Sequence, residues 1–349
     1  MSNLWERFKA FRMEVAAWRL ISLITLLWVG ALGAGSVAAQ PYAYVTGMTL
    51  NAVSVLDTAT NTFVANIIVG SSARGMALSP DGSFAYVAMA FSRSGNITVI
   101  DTATYMVVAQ VFLPFRHGAS DVALTPDGAF AYVTGDDRNV VVLDTTSRTI
   151  VASIRLDNPE KTITYTSGVA VSPDGAFAYV TGGSSLWVID TATYAVVTRV
   201  EMDSRQDGKV AFTPDGAFAY VTSPFGNGNV SVIDTQSHTV VDFIPTGLST
   251  HSVAITPDGA FAYVTAWGGA EPGKVLAIDT KSHSVVATIP METQIPGGVK
   301  ITSDGALAYV GYSRYPGSFA VIDTASNTVV DIVPTGGDEL PFFAALTPQ

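Results

Sequence analysis

One stretch, Thr213-Pro214-Asp215-Gly216-Ala217-Phe218-Ala219-Tyr220-Val221-Thr222, returns in near-copies along the chain and restricts what it can fold into. Reading outward from each copy gives a longer unit. A short apolar run precedes Pro-Asp-Gly, Phe-Ala-Tyr-Val-Thr follows it, and after a loop comes Val-x-Val-Ile-Asp-Thr and a closing Val-Val. The motif tyrosines fall at Tyr44, Tyr86, Tyr132, Tyr179, Tyr220, Tyr263 and Tyr309, and the Asp of Asp-Thr at Asp57, Asp101, Asp144, Asp190, Asp234, Asp279 and Asp323. Seven units spaced by 41 to 47 residues are thereby defined. Length alone would suggest two domains for 349 residues, but a repeat at this period overrides that prior.

Each unit reads as four short strands. The first is the run before Pro-Asp-Gly, such as Val169-Ala170-Val171. The turn itself follows from its residues: Pro presets φ, Asp bonds the local backbone, and Gly takes a positive φ. Phe-Ala-Tyr-Val-Thr alternates large and small side chains at the strand period. Val-x-Val-Ile-Asp makes a third strand, and the segment after Asp-Thr a fourth. No sustained helical period appears after Gln40. Four strands per unit predict an all-β, seven-bladed β-propeller of four-stranded blades. The aromatic set Phe84, Phe130, Phe177, Phe218 and Phe261, with Tyr42 and Leu307 as variants, is expected as core between blades rather than a cofactor box. The first unit lacks a first strand, and Phe343-Ala344-Ala345-Leu346-Thr347-Pro348 resembles one. The C-terminal strand is therefore expected to complete the N-terminal blade and close the ring. Asn66, Gln110, Ser153, Arg199, Asp242, Thr288 and Asp331 put polar side chains on the outer strands, where they would oppose edge pairing.

Residues 1–39 have the layout of a signal peptide. A basic stretch runs to Arg19, an apolar run spans Leu20 to Ala34, and small residues lead to Ala39. The competing reading is a retained anchor, for which the apolar run is short. The propeller domain would then span 40–349, without a membrane span, as a periplasmic, secreted or cell-surface protein, and a monomer is expected. Net charge is −11 overall, and removing the first 39 residues leaves −13. With no Lys/Arg run, nucleic acid is not an expected partner. Cysteine is absent, which excludes disulfides, thiolate chemistry and Cys-ligated metals. No metal and no cofactor are expected.

The combination of Tyr-Val-Thr, Val-Ile-Asp-Thr and Pro-Asp-Gly resembles the YVTN-type β-propeller repeat over about residues 42 to 348. Where Tyr-Val-Thr is kept, the fourth letter is Gly47, Gly135, Gly182, Ser223 or Ala266 in place of Asn, and Ala88 and Gly311 replace the Thr in the other two units. The resemblance implies the propeller fold and likeness to surface-layer and periplasmic propellers. It carries over no catalytic residue.

Candidate sites come from comparing the seven units. The Pro-Asp-Gly and Asp-Thr turns share one nearly invariant face, and variable loops share the other, which is the expected functional top. Just before the first strands the chain offers Arg74, Asp121, Lys209 with Asp207, His251 and Phe342, which should converge at the channel mouth. Arg74, Lys209 and His251 suit an anion such as a carboxylate, and Asp121 and Asp207 suit pairing with them or binding a cation. The alternative is a ring of solvated loop ends around a water-filled channel. The top loops carry Phe91, Arg93, Phe225, Trp267, Tyr312, Arg314 and Tyr315. These are residue types favoured at protein interfaces, or else packing on the blade tops. Asp136-Asp137-Arg138 reads as a polar loop or a cation site, and His238 and His283 align with Asn61 and Asn327 as turn residues. Catalytic signatures are missing, and the catalytic residues of any enzyme reading stay unknown. The leading expectation is a non-enzymatic, exported scaffold binding a protein or cell-envelope component. The competing one is a small-molecule enzyme of the propeller lactonase or lyase type.

Overall fold

The computed structural model describes residues 42–47, 51–70, 72–90, 95–116, 118–135, 138–156, 166–203, 208–225, 228–268, 271–291, 295–312, 317–335 and 341–347. They form seven antiparallel sheets of four strands each, arranged as the blades of a ring. Blade 1 runs, from the axis outward, Pro341–Leu346, Tyr42–Gly47, Ala52–Asp57 and Thr62–Ile68. Blades 2 to 7 follow in chain order. Their inner strands are Ala73–Leu78, Ala119–Leu124, Val169–Val171, Val210–Phe212, Ser249–Ile255 and Pro296–Ile301. No helix among the described residues is long and apolar enough to cross a membrane. The expected seam is present: Tyr44 pairs with Ala345 and Ala43 with Leu346, and Thr347 N donates to Tyr42 O at 2.9 Å. The proposed signal segment lies outside the described residues.

The turns form as their residues dictate. In the fifth blade Asp215 Oδ1 accepts from Thr213 Oγ1 (2.6 Å) and from Ala217 N (3.0 Å), and Gly216 takes φ 72°. The Asp-Thr turn is tied to it, as where Thr280 Oγ1 donates to Gly259 O at 2.5 Å. Both invariant turns therefore share one end of each blade. Their repetition is explained by this mutual bonding, with no chemistry required.

Neighbouring blades are joined by the tyrosines. Tyr44 Oη donates to Thr102 O (3.2 Å), Tyr132 Oη to Thr191 O (3.4 Å) and Tyr220 Oη to Thr280 O (3.3 Å), in each case the Asp-Thr turn of the next blade. Across the seam Tyr309 Oη donates to Thr58 O at 3.2 Å. Burial pushes these phenols above their usual range, Tyr309 to about 12. The same turns hold Asn61, Tyr105, Arg148, Tyr194, His238, His283 and Asn327 at positive φ, between 52° and 58°. Several of these latch onto the preceding blade. Tyr105 packs edge-on against Tyr42, Tyr194 against Phe130, His238 against Phe177 and His283 against Phe218. Arg148 lies over Phe84 at 5.7 Å. His238 and His283 are thus turn residues, as their alignment with asparagines implies.

Every outer strand carries a β-bulge at the same place. The extra residue is Val64, Val108, Val151, Val197, Val241, Val286 or Val330, and all of them are exposed. A bulge twists the edge and interrupts its row of free backbone groups. The rim is therefore protected by backbone geometry as well as by the polar side chains the sequence offers.

Candidate functional site

Opposite the invariant turns, the entry of five of the seven inner strands is fixed by a threonine. The final Thr of Tyr-Val-Thr is buried and donates its hydroxyl to a carbonyl in the next blade: Thr46 to Arg74 (2.7 Å), Thr134 to Ser167 (2.8 Å), Thr181 to Gly208 (2.8 Å), Thr222 to His251 (3.1 Å) and Thr265 to Gly297 (2.8 Å). Ala88 and Gly311 replace it in the other two blades. These bonds set the backbone of Arg74 and His251 directly, and of Lys209 through Gly208 beside it.

The next position along the inner strands reads Gly75, Asp121, Gly168, Lys209, Ser252 and Gly298 through blades 2 to 7. The two charged residues meet there. Lys209 Nζ lies 2.7 Å from Asp121 Oδ2, with side-chain exposures of 17% and 11%. Asp121 also accepts from Val169 N of the fourth blade at 3.3 Å. On its other side it presses against Gly75, where an added Cβ would stand 2.2 Å from Asp121 Oδ1. Gly168, in the blade between the pair, has room for no side chain either, since a Cβ there would fall 2.5 Å from Gly208 O. The glycines permit the approach, and the carboxylate is held from three blades.

Arg74 and Lys300 lie within electrostatic reach of Lys209, and Lys300 also within reach of Asp121. Burial is the largest influence on both lysines and lowers their pKa below the usual range, with Asp121 opposing it. Lys300 lies on the inner strand of the seventh blade and is exposed. The sequence reading missed this residue. In the first strands Ala77, Ala123, Ala170, Ala211, Ala254 and Ala345 stand opposite Tyr86, Tyr132, Tyr179, Tyr220, Tyr263 and Tyr44. Lys300 stands opposite Tyr309 in the same register. Among seven equivalent positions it is the departure from alanine, a signal available from aligning the repeats.

His251 stacks on Trp267, with ring centroids 4.8 Å apart and planes at 11°. Its Nε2 is buried without a hydrogen-bond partner, and burial depresses its pKa to about 4. It is therefore a neutral, packed ring, not the cationic anion ligand expected from sequence, because the stack withdraws it from water. Trp267 is engaged in the same contact. Tyr312, expected on an exposed top loop, is 3% exposed and sits in the core with Val299, Val310 and Met291, so it is unavailable to a partner. Phe225 is 65% exposed. Asp207, Phe91, Arg93, Arg314 and Tyr315 lie outside the described residues, as do Asp136, Asp137 and the side chain of Phe342. Among the described residues no three His, Asp or Glu side chains converge to hold a metal.

Residues 178–298 match the cytochrome D1 heme domain family model, a segment that includes Lys209 and His251 but not Arg74, Asp121 or Lys300. The seven-bladed β-propeller protein Rv1057 of Mycobacterium tuberculosis is 36% identical over 98 residues. That alignment covers 28% of this chain and 25% of the relative's length. Among solved structures, hydrazine synthase of Kuenenia stuttgartiensis superposes with TM-score 0.68 at 25% identity, covering 79% of this chain and 90% of that one. The dihydro-heme d1 dehydrogenase NirN superposes with TM-score 0.62 at 20% identity, covering 87% and 75%. A functionally unknown protein of Desulfotomaculum acetoxidans does so with TM-score 0.69 at 19% identity, covering 87% and 98%. Blade count, strand order and these likenesses agree: the chain is a seven-bladed β-propeller.

Proposed function

We propose that this chain is an exported binding propeller that receives a protein or cell-envelope partner on the face carrying the channel mouth. The observation that supports this is where the repeat is broken. The turn end of each blade repeats one bonding scheme, whereas Arg74, Asp121, Lys209 and Lys300 depart from it at or near the opposite end and gather around the channel. A partner would present an acidic group to these cations and cover exposed apolar side chains such as Phe225. Export rests on the layout of the first 39 residues.

The test is affinity capture from the source organism's envelope, with the wild-type chain beside an Arg74→Ala, Lys209→Ser double variant of verified fold. A protein retained by the wild type and lost by the variant supports the reading. Equal retention by both would move the binding surface away from the channel mouth.

A second reading is a tetrapyrrole-bearing or small-molecule enzyme, favoured by the partial match to the heme d1 domain. The cations suit a macrocycle's carboxylates. His251 does not suit an iron ligand, because its Nε2 is buried and its ring is held in the stack on Trp267. Absorbance of the purified chain after incubation with heme separates the two readings.

A further inference from the structure

We infer that the cleft between blades 4 and 5, at the turn end of the ring, is a binding site for a small arylalkyl ammonium ion. It lies at the end opposite the channel mouth and stands independently of the function proposed there.

Three observations carry it. The first is a broken tie. Five of the other six motif tyrosines donate to the carbonyl of the Asp-Thr turn in the next blade, at Thr102, Thr191, Thr280, Thr324 and Thr58. Tyr179 makes no such bond, and its Oη pairs instead with Nδ1 of His238 at 2.7 Å. The carbonyl of Thr235 is thereby left without a hydrogen-bond donor among the described residues. An acceptor that the architecture satisfies elsewhere is open at this joint.

The second is space. A cavity of about 360 Å³ lies at the joint, with Thr235 in its wall. A Cβ on Gly216 would stand 3.7 Å from the ring of Pro173 in the preceding turn, against 2.9, 3.3, 3.2 and 3.3 Å for the same contact at Gly128, Gly175, Gly259 and Gly305. Of these five pairs of turns, the pair beside the cavity is the most widely spaced. At the density of liquid water the cavity takes about a dozen non-hydrogen atoms.

The third is the lining. Leu78, Leu124, Val171, Ile255, Ile301 and Leu346 stand in one register across the other six blades, and blade 5 has Phe212 there. Its ring meets Tyr179 edge-on at 4.8 Å, and Phe177 meets His238 in the same way at 4.8 Å. Asp174 and Asp215 line the same cavity. Each engages Oδ1 with a hydroxyl and a backbone N–H, and neither pairs with a Lys or Arg among the described residues. The hydroxyls of Ser172 and Thr235 are already taken up by Asp174 and by Gly216 O. Burial lowers the pKa of His238, so its ring is neutral at pH 7 and adds no competing charge. The cleft thus sets acceptor oxygens beside aromatic faces. That is the chemistry that holds an ammonium group on an aromatic stem, with its N–H groups on the Thr235 carbonyl and the carboxylates and its stem against Phe177 and Phe212.

Isothermal titration calorimetry of the full chain with phenethylammonium tests this. Phenethyl alcohol keeps the stem without the charge, and phenylpropionate reverses the charge. The ammonium is expected to bind about 10-fold tighter than the alcohol, and the carboxylate to give no binding heat. His238→Asn installs the residue used by blades 1 and 7, where the tyrosine reaches both the asparagine and the turn carbonyl. It should return Tyr179 to the Thr235 carbonyl, keep the thermal unfolding of the wild type and weaken the ammonium about 10-fold. Phe212→Leu installs the residue of blades 1, 2 and 3 and should weaken it about 5-fold. No binding of the ammonium, equal affinity for the alcohol, or unchanged affinity in His238→Asn would overturn the inference. Should His238→Asn fail to fold, unchanged affinity in Phe212→Leu would overturn it instead.

Discussion

A methyl group at Gly75 would stand 2.2 Å from Asp121 Oδ1 and 2.5 Å from Asp121 Cα. Since one contact is backbone, a rotamer change cannot relieve it. Gly75→Ala is expected to cost about 1–3 kcal/mol of stability in urea unfolding. It should also disturb the ion pair of Asp121 with Lys209. At this scale the sequence was partly legible. Asp121 and Lys209 could be named because they break the pattern in front of a first strand. Lys300 stayed hidden inside Val-Lys-Ile, where a lone lysine reads as a strand residue, and only pairing with Tyr309 places it with the six alanines. Tyr312 misled for a related reason. Its strand runs one turn of the pleat further than Tyr-Val-Thr suggests, which carries the ring into the core.

The inner strand Pro341–Leu346 is the element on which closure depends. Removing residues from Pro341 onward would leave Tyr42–Gly47 without its inner neighbour and free the backbone groups of Tyr42 that bond Thr347. The truncated chain should lose cooperative thermal unfolding and aggregate, as circular dichroism and light scattering would report, whereas removing only residues 348–349 should change little. Strand count and closure were legible because Pro-Asp-Gly and Asp-Thr punctuate every blade. The outer-strand bulges were not. Val-Val reads as plain β-strand, and nothing in two adjacent valines says that one will be extruded from the ladder.

Acid should unfold the whole molecule in two stages. His251 titrates at about 4 in the folded chain and near 6.5 when unfolded. A base whose folded pKa is depressed favours the folded state when neutral, so its contribution is complete above pH 6.5. It is lost as pH falls from there to about 4, amounting to at most about 3 kcal/mol. The turn carboxylates, among them Asp81, Asp127, Asp174, Asp190 and Asp215, are held below the usual range, chiefly by hydroxyls and backbone N–H groups. Their contribution is present above the unfolded carboxylate pKa and lost only below it. Urea midpoints measured across pH should therefore decline first between pH 6.5 and 4, and again below 4. In His251→Phe the first decline should shrink to the part left by His238, whose pKa burial also lowers, and the second should remain.

A chain built from seven near-copies faces a problem of address, since any blade surface might dock on the wrong sibling before the ring is complete. The latch residues at positive φ vary where the backbone does not. Arg148 reaches over Phe84, His238 bonds Tyr179 through Nδ1 at 2.7 Å, Asn327 approaches Tyr263 and Asn61 approaches Tyr309. Four residue types, Asn, Tyr, Arg and His, thus serve the seven joints on a common hinge. The chain can repeat its architecture while narrowing the ways in which its parts can be misordered.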